Sequence, residues 1–509
     1  MHELQKIHHV LRCRKESYAA ALIDCDGTQL NTGELRAAVS AAGDLLHENG
    51  VVAGDRVLLV GENCAAFIAA ALACSKVNAW IVPVNARMSS AEISRIAAHA
   101  KPRLKVFTHA FSEAAAAHSE REPVREVSLN GAGRLLLSTA DPAATAPGDD
   151  VIQAGQVAAL MYTTGTTGDP KGVMLTHANL LYASWASTQI RAMHDNDHVY
   201  GVLPYTHIFA FVSAFLAALR AGAKIELVPR FEPGAFFTAL AGGVSLVPAV
   251  PAMYAKLLEY AERVGITSPD APRLRYMSAG GAPLDPDWKL RVERFFGLCL
   301  HNGYGMTESS AGICATRVGD EREDISAGPP MPDQDVRIVA TPGQSQVRDG
   351  VGEIVVKGPN VMLGYYKNAE ETARMIDSDG YLHTGDLGRL DDDGYLHVVG
   401  RCKELIIRSG FNVYPPEVET AINAHPDVVH AAVIGQREAD GNEKVLAFVE
   451  RAPLANIDEA ALQRFIEDQL APYKRPARIV VTDSLPLSTA GKVLKYRLLD
   501  VFGAQLDHV

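Results

Sequence analysis

The stretch Met161-Tyr162-Thr163-Thr164-Gly165-Thr166-Thr167-Gly168-Asp169-Pro170-Lys171-Gly172 decides how this chain is read. The apolar run 157–162 predicts a buried strand. It opens into a loop of four threonines and two glycines, then a lysine. Glycines let backbone N–H groups come close to an anion. The hydroxyls donate to phosphate oxygens, and Lys171 adds a mobile positive charge. No GK[ST] follows the glycines, so a P-loop NTPase is disfavoured.

Outward from this loop, strands and helices alternate. Runs 56–60, 80–84 and 104–108 predict strands, and 63–76 and 90–100 predict helices. Ser89 followed by Glu92 has capping-box spacing and opens the second helix. The alternation resumes with strands at 198–203, 224–228, 246–250, 275–278 and 299–302 and an apolar helix at 212–221. This predicts an α/β fold of doubly wound layers with parallel sheet. From about residue 326 the character changes. Runs 336–340, 352–356 and 395–399 are β-rich between Gly, Asp and Pro turns, which predicts an antiparallel sheet or small β-barrel-like part. Beyond 401–410 comes a small α+β unit. It has a helix at 416–423, paired strands at 428–435 and 443–450, and a helix at 458–470 capped by Asp458. A strand at 479–482 and a helix at 493–501 follow. The expected domains are 1–402 and 403–509.

The chain has 509 residues, with 48 Lys+Arg against 60 Asp+Glu and a net charge of −12. One core does not grow to that length, so at least two domains are expected. The acidic balance argues against nucleic acid as a partner but not against nucleotides, which backbone N–H groups can hold. The longest apolar run, 65–74, is half of the ~20 residues a bilayer needs, so no transmembrane segment is expected. The polar start has no apolar signal core. Seven scattered cysteines without a CxxC suit reduced thiols in a cytoplasmic protein.

The loop at 161–172 resembles the phosphate-binding loop of the ANL superfamily: acyl- and aryl-CoA synthetases, peptide-synthetase adenylation domains and luciferases. Tyr304-Gly305-Met306-Thr307-Glu308 is similar to the second hallmark of that family, and Tyr381-Leu382-His383-Thr384-Gly385-Asp386 to the third. Gly400-Arg401, Ser409-Gly410-Phe411-Asn412 and Leu485-Pro486-Leu487-Ser488-Thr489-Ala490-Gly491-Lys492 complete the set in the family's order. The N-terminal third matches only in length and pattern.

The resemblance implies an AMP-forming acid–CoA ligase that uses ATP, Mg²⁺ and coenzyme A. It implies Lys492, Lys171, Glu308 and Thr307 as catalytic residues, with Glu308 also holding Mg²⁺ against phosphate oxygens. Thr163, Thr164, Gly165, Thr166, Thr167 and Gly168 would cradle the phosphates. Asn302, Gly303 and Tyr304 would form the adenine slot, with Gly281 and Ala282 beside it. Asp386 and Arg401 would hold the ribose. Gly410 would line the pantetheine tunnel, with Lys474 and Arg475 as candidates for the CoA phosphates. Lys403 would be the hinge about which a mobile small domain turns to deliver Lys492.

The same fold would place the acid among 207–211, 253–254, 279–282 and 303–312. His207, Phe209, Tyr254, Gly280, Gly305, Ala311 and Gly312 would line its pocket. These segments contain no Arg or Lys; the nearest is Lys256. A dicarboxylate would need a fixed cation there, because an unpaired buried charge is costly. An apolar monocarboxylic acid, fatty or aromatic, remains. One departure is Asp440-Gly441-Asn442, where many CoA-forming relatives carry Trp-Gly. An adenylation enzyme that loads a separate carrier protein stays open as an alternative; 17 residues follow Lys492, so no fused carrier domain is expected. A non-catalytic nucleotide-binding module has no need for Lys171, Glu308, Asp386 and Lys492 together. A homodimer is left open.

Overall fold

Every residue of the Arg56–Gly61 strand is buried. Its run of apolar residues without alternation demands cover on both faces. It lies between Trp80–Asn85 and Leu104–Phe107 and runs parallel to both. The computed structural model describes residues 4–14, 19–144, 156–164, 170–320, 322–341, 346–347, 350–408, 411–437, 443–453, 455–487 and 493–506.

The sheet built on this strand has eight members. In order they are Gly364–Tyr365, Pro170–Thr176, Val157–Thr164, Trp80–Asn85, Arg56–Gly61, Leu104–Phe107, Arg134–Ser138 and Val124–Ser128. The centre is parallel, as expected, and hairpins finish both ends. A second eight-stranded sheet runs Ala311–Ala315, Leu300–Met306, Tyr276–Ala279, Leu246–Ala249, His198–Gly201, Lys224–Leu227, Ala20–Ile23, Gln29–Asn31.

Helix Ala65–Lys76 is buried from Ala65 to Ser75, as an apolar helix without a polar face must be. The capping box of helix Ser90–Ala100 forms: Ser89 Oγ accepts from the Glu92 N–H, and Glu92 Oε2 accepts from the Ser89 N–H. The helix expected at 212–221 begins earlier, at Ile208, and includes a π-helical stretch at Phe211–Leu216.

Asp335–Val339, Gly352–Lys357, Leu382–Leu390 and Leu396–Arg401 form a four-stranded sheet. In the C-terminal part, Val428–Arg437 pairs antiparallel with Glu443–Arg451, which pairs parallel with Arg478–Thr482. Val418, Ile422, Val433, Val445, Leu462, Ile466 and Ile479 share its core. The described chain forms two compact units: 1–336 with 355–383 and 392–396, and 337–354 with 384–391 and 397–509. Residues 403–509, expected as the small domain, fall wholly in the second. No helix among the described residues is long and apolar enough to cross a membrane.

Arg56 is the notable polar residue of the first sheet, 1% exposed. Its guanidinium donates to Ala100 O at 2.8 Å, Gly54 O at 3.1 Å and Lys101 O at 2.9 Å, and so closes the end of helix Ser90–Ala100. Arg56→Met keeps the apolar stem and strands those carbonyls. Stability measured by urea unfolding should fall by about 3 kcal/mol; a loss below about 0.5 kcal/mol would show that the cap is dispensable.

Candidate active site

The hairpin of Val157–Thr164 and Pro170–Thr176 sets the site. Tyr162 lies opposite Gly172, Thr163 opposite Lys171 and Thr164 opposite Pro170. Thr163 is half-buried. Gly165, Thr166, Thr167 and Gly168 lie outside the described residues. The hairpin joins the parallel sheet where Ala159 meets Ile81. Helix His177–Ile190 follows, with a capping box between Thr176 and Asn179. The Asn179 amide also donates to Pro359 O at 2.8 Å and Val361 O at 2.9 Å. The next residues continue that attachment. The Leu363 N–H donates to Met174 O at 3.0 Å, and the Tyr366 N–H to Gly172 O at 2.8 Å. Strand Gly364–Tyr365 thereby becomes the edge beside the hairpin.

This ladder gathers four polar side chains. Lys171 is ion-paired with Glu371, and its Nζ lies 5.4 Å from the centre of the Tyr365 ring. The Tyr365 hydroxyl donates to Glu308 Oε1 at 2.8 Å. Burial, with the Glu308 carboxylate beside it, pushes the Tyr365 phenol up, so it stays a donor. The hydrogen bond from Lys171 holds the Glu371 carboxyl below its ordinary range.

Glu308 is 7% exposed, in the 3-10 turn Thr307–Ser309 that ends the Leu300–Met306 strand. Thr307 is half-buried in the same turn. Ser309 Oγ accepts from the Met306 N–H at 3.1 Å, and the chain leaves the turn through Ser310 and Ala311 at φ +53° and +92°. Such backbone conformations are costly outside glycine and persist where neighbours hold them. Here Ser310 Oγ donates to Asn360 O at 2.8 Å, and the Met362 N–H to Glu308 O at 2.9 Å.

The set fits Mg²⁺ with phosphates. Glu308 offers a hard carboxylate oxygen, the ligand type Mg²⁺ takes. A carboxylate oxygen already rests on Lys171, so that ammonium is placed to receive an anionic oxygen. Tyr365 and Glu371 were not anticipated from the sequence. A two-residue strand carries no periodicity, and Glu371 reads as an ordinary charge in helix Ala369–Met375.

The expected adenine and acid segments come from the second sheet. Asn302 Oδ1 accepts from the Gly303 N–H at 2.9 Å, and its amide donates to Ile325 O at 2.8 Å. Gly303 and Tyr304 lie opposite Ala315 and Cys314 in the hairpin to Ala311–Ala315. Gly305 is demanded by that hairpin, since a Cβ there would sit 1.5 Å from Ala311 O. A Cβ on Gly312 would lie 2.4 Å from Met331 Sδ. A Cβ on Gly280 would lie 3.1 Å from Phe209 Cε1, so the ring edge rests on bare backbone. Gly281 is exposed at φ +76°, and Ala282 is half-buried. His207 is exposed, and its Nδ1 accepts from the Phe209 N–H at 3.3 Å. Tyr254 departs from its expected place on the pocket wall. It is 1% exposed and its hydroxyl donates to Val247 O and Ser278 O, so it pins helix Pro251–Val264 to two strands.

In the second unit, Arg401 Nε lies 3.3 Å from Asp386 Oδ1, so the two expected ribose residues stand together. Lys403 is exposed in the short turn Cys402–Glu404. Lys474 pairs with Glu417. Arg475 donates to Leu470 O at 2.9 Å and Glu467 O at 2.6 Å, closing the end of helix Glu459–Glu467. Lys495, three residues beyond Lys492, bridges Glu404 at 2.7 Å and Glu419 at 2.9 Å. Gly410, Lys492 and Asp440-Gly441-Asn442 lie outside the described residues.

Residues 11–366 match the family described as AMP-binding enzyme, and residues 417–492 match the AMP-binding enzyme C-terminal domain. The chain is 35% identical over 503 residues to a feruloyl-CoA synthase of an Amycolatopsis species, covering 97% of this chain and 98% of that protein. It is 35% identical over 352 residues to a long-chain-fatty-acid–CoA ligase of Bacillus subtilis, 68% of this chain and 61% of that one. Its fold matches the o-succinylbenzoate coenzyme A synthetase of Bacillus subtilis in complex with ATP and magnesium ion, with a TM-score of 0.80 at 28% identity over 96% of this chain and 98% of that one. The chain therefore belongs to the AMP-binding enzyme family, the adenylate-forming enzymes of the ANL superfamily.

Proposed function

We propose that this chain joins an aromatic monocarboxylic acid to coenzyme A, with Lys171 and Glu308 acting at the phosphates of ATP. The reaction class is that of an AMP-forming acid–CoA ligase. A carboxylate oxygen of the acid attacks the α-phosphorus of ATP, the bond to pyrophosphate breaks, and an acyl-adenylate forms. The CoA thiol then attacks the acyl carbon, and AMP leaves with the carboxylate oxygen it gained.

The observation that carries this reading is the Lys171–Tyr365–Glu308 chain. It sets a cation and a metal-holding carboxylate on either side of one buried phenol. Glu308 would hold Mg²⁺, which would supply positive charge against the phosphate oxygens. Lys171 exchanges Glu371 for a phosphate oxygen, Thr307 and the loop 163–168 donate to the others, and Asn302, Gly303 and Tyr304 take the adenine. Asp386 and Arg401 take the ribose. Lys492 is brought to the carboxylate and α-phosphate when residues 403–509 turn about Lys403, and it stabilises the charge of the attack. Gly410 and Lys474 serve the CoA step.

An aromatic acid is favoured over a fatty one on two grounds. The Phe209 ring resting on Gly280 offers a flat apolar wall. The feruloyl-CoA synthase is also similar along nearly the whole chain. Among the sequence segments expected around the acid there is no Arg or Lys. The scattered thiols support work in the cytoplasm.

Three outcomes follow for this site. With CoA in excess, kcat/KM should rank ferulate and cinnamate above octanoate and leave malonate poorest; malonate as best substrate would overturn the pocket reading. Phe209→Ala should lower kcat/KM for the aryl acids about 3- to 10-fold more than for octanoate, the scale of a lost aromatic pair. Glu371→Gln removes the anion that competes with phosphate for Lys171. Calorimetry should find ATP bound about 2- to 5-fold more tightly, by the scale of a partly exposed ion pair, and this gain should vanish in a Lys171→Ala background. Weaker ATP binding by Glu371→Gln would mean that Glu371 orients Lys171 instead of competing for it.

A further inference from the structure

Resting on the reading above, we propose that Tyr365 is the positioning residue of the phosphate site, fixing which oxygen of Glu308 is left to the metal and giving Lys171 a surface to rest on. The hydroxyl is 2.8 Å from Glu308 Oε1, and the two side chains are buried together, with Tyr365 4% and Glu308 7% exposed. Hydrogen bonds to charged groups are the stronger ones, and geometry sets which lone pairs they occupy. With a lone pair of Oε1 engaged by the phenol, Oε2 is the oxygen that the phenol leaves to a ligand. The ring of the same residue carries Lys171 Nζ at 5.4 Å from its centre, within the range of a cation–π interaction.

The backbone that carries the phenol is held at three points. Its own strand pairs Gly364 with Met174 and Tyr365 with Val173. The Tyr365 N–H donates to Thr372 Oγ1 at 2.9 Å, and that threonine stands next to Glu371. The Met362 N–H, three residues earlier, holds the backbone carbonyl of Glu308 at 2.9 Å. The segment therefore grips Glu308 through main chain and side chain, and ties its carboxylate to the strand that carries Lys171. A residue that merely filled space would not need a hydroxyl at this point. The ring gives Lys171 a resting surface while it passes from Glu371 to phosphate, so the lysine keeps a partner during the exchange.

The test separates hydroxyl from ring. Tyr365→Phe keeps the ring and removes the hydroxyl; Tyr365→Leu removes both. Calorimetry measures ATP affinity with no divalent metal and then with Mg²⁺, and Mn²⁺ bound with ATP is counted by electron paramagnetic resonance. Tyr365→Phe should bind metal-free ATP within about twofold of the unaltered protein. The extra affinity that Mg²⁺ confers should fall about tenfold, the scale of one hydrogen bond to a charged group. Tyr365→Leu should lose metal-free ATP affinity as well, by about threefold or more. A Tyr365→Phe protein that melts normally and keeps the whole Mg²⁺ gain would overturn the proposal while leaving the site reading intact. Glu308→Gln is the companion variant. If it too keeps the Mg²⁺ gain, Glu308 does not hold the metal, and both the reading and the positioning role fall.

Discussion

The ladder through Val157–Thr164, Pro170–Thr176 and Gly364–Tyr365 is the constraint on which the site depends. Backbone groups inside a domain must find partners. Once Pro170–Thr176 folds back on Val157–Thr164, its outer edge needs a strand, and the two residues Gly364 and Tyr365 supply it. That pairing draws the 359–366 segment across the hairpin from nearly two hundred residues away. The segment then meets the Thr307–Ser309 turn, and Glu308 arrives beside Tyr365. Lys171 and Glu308 come from different sheets and would have no reason to meet without it.

Electrostatics explain why the arrangement tolerates its charges. Glu308 is buried, and a buried carboxylate needs partners. It has a phenol that cannot compete for its charge. Lys171 has a carboxylate and an aromatic face. Each charge therefore has a partner inside the first unit. The strained turn after Ser309 belongs to the same balance. Ser310 and Ala311 hold positive-φ backbone where Asn360 and Met362 bind the turn.

Much of this was legible in the sequence wherever the signal was local. The capping box at Ser89 and Glu92, the buried run at 80–84 and the family motifs each announce themselves within a dozen residues. Long-range partners did not. Pro170–Thr176 reads as the tail of a loop because a proline opens it. Leu382–Leu390 hides behind two glycines and a broken alternation. Tyr254 looks like a pocket residue on an amphipathic helix, and only the fold reveals that its hydroxyl meets two strands of the sheet. Glu371 sits on a helical surface, and nothing in its neighbours names Lys171, two hundred residues away, as its partner. Arg475 reads as an available cation until helix Glu459–Glu467 claims its guanidinium.

The order of the chemistry is fixed by the reading above: the acid is activated on phosphorus before CoA takes part. A rapid-quench experiment tests this most directly: enzyme in excess over ferulate is mixed with Mg²⁺ and ATP labelled at the α-phosphate, first without CoA. The account predicts enzyme-bound acyl-adenylate and one pyrophosphate per acid consumed, followed by equal amounts of AMP and thioester once CoA is added. Release of ADP and inorganic phosphate, or no ATP cleavage until CoA is present, would contradict it.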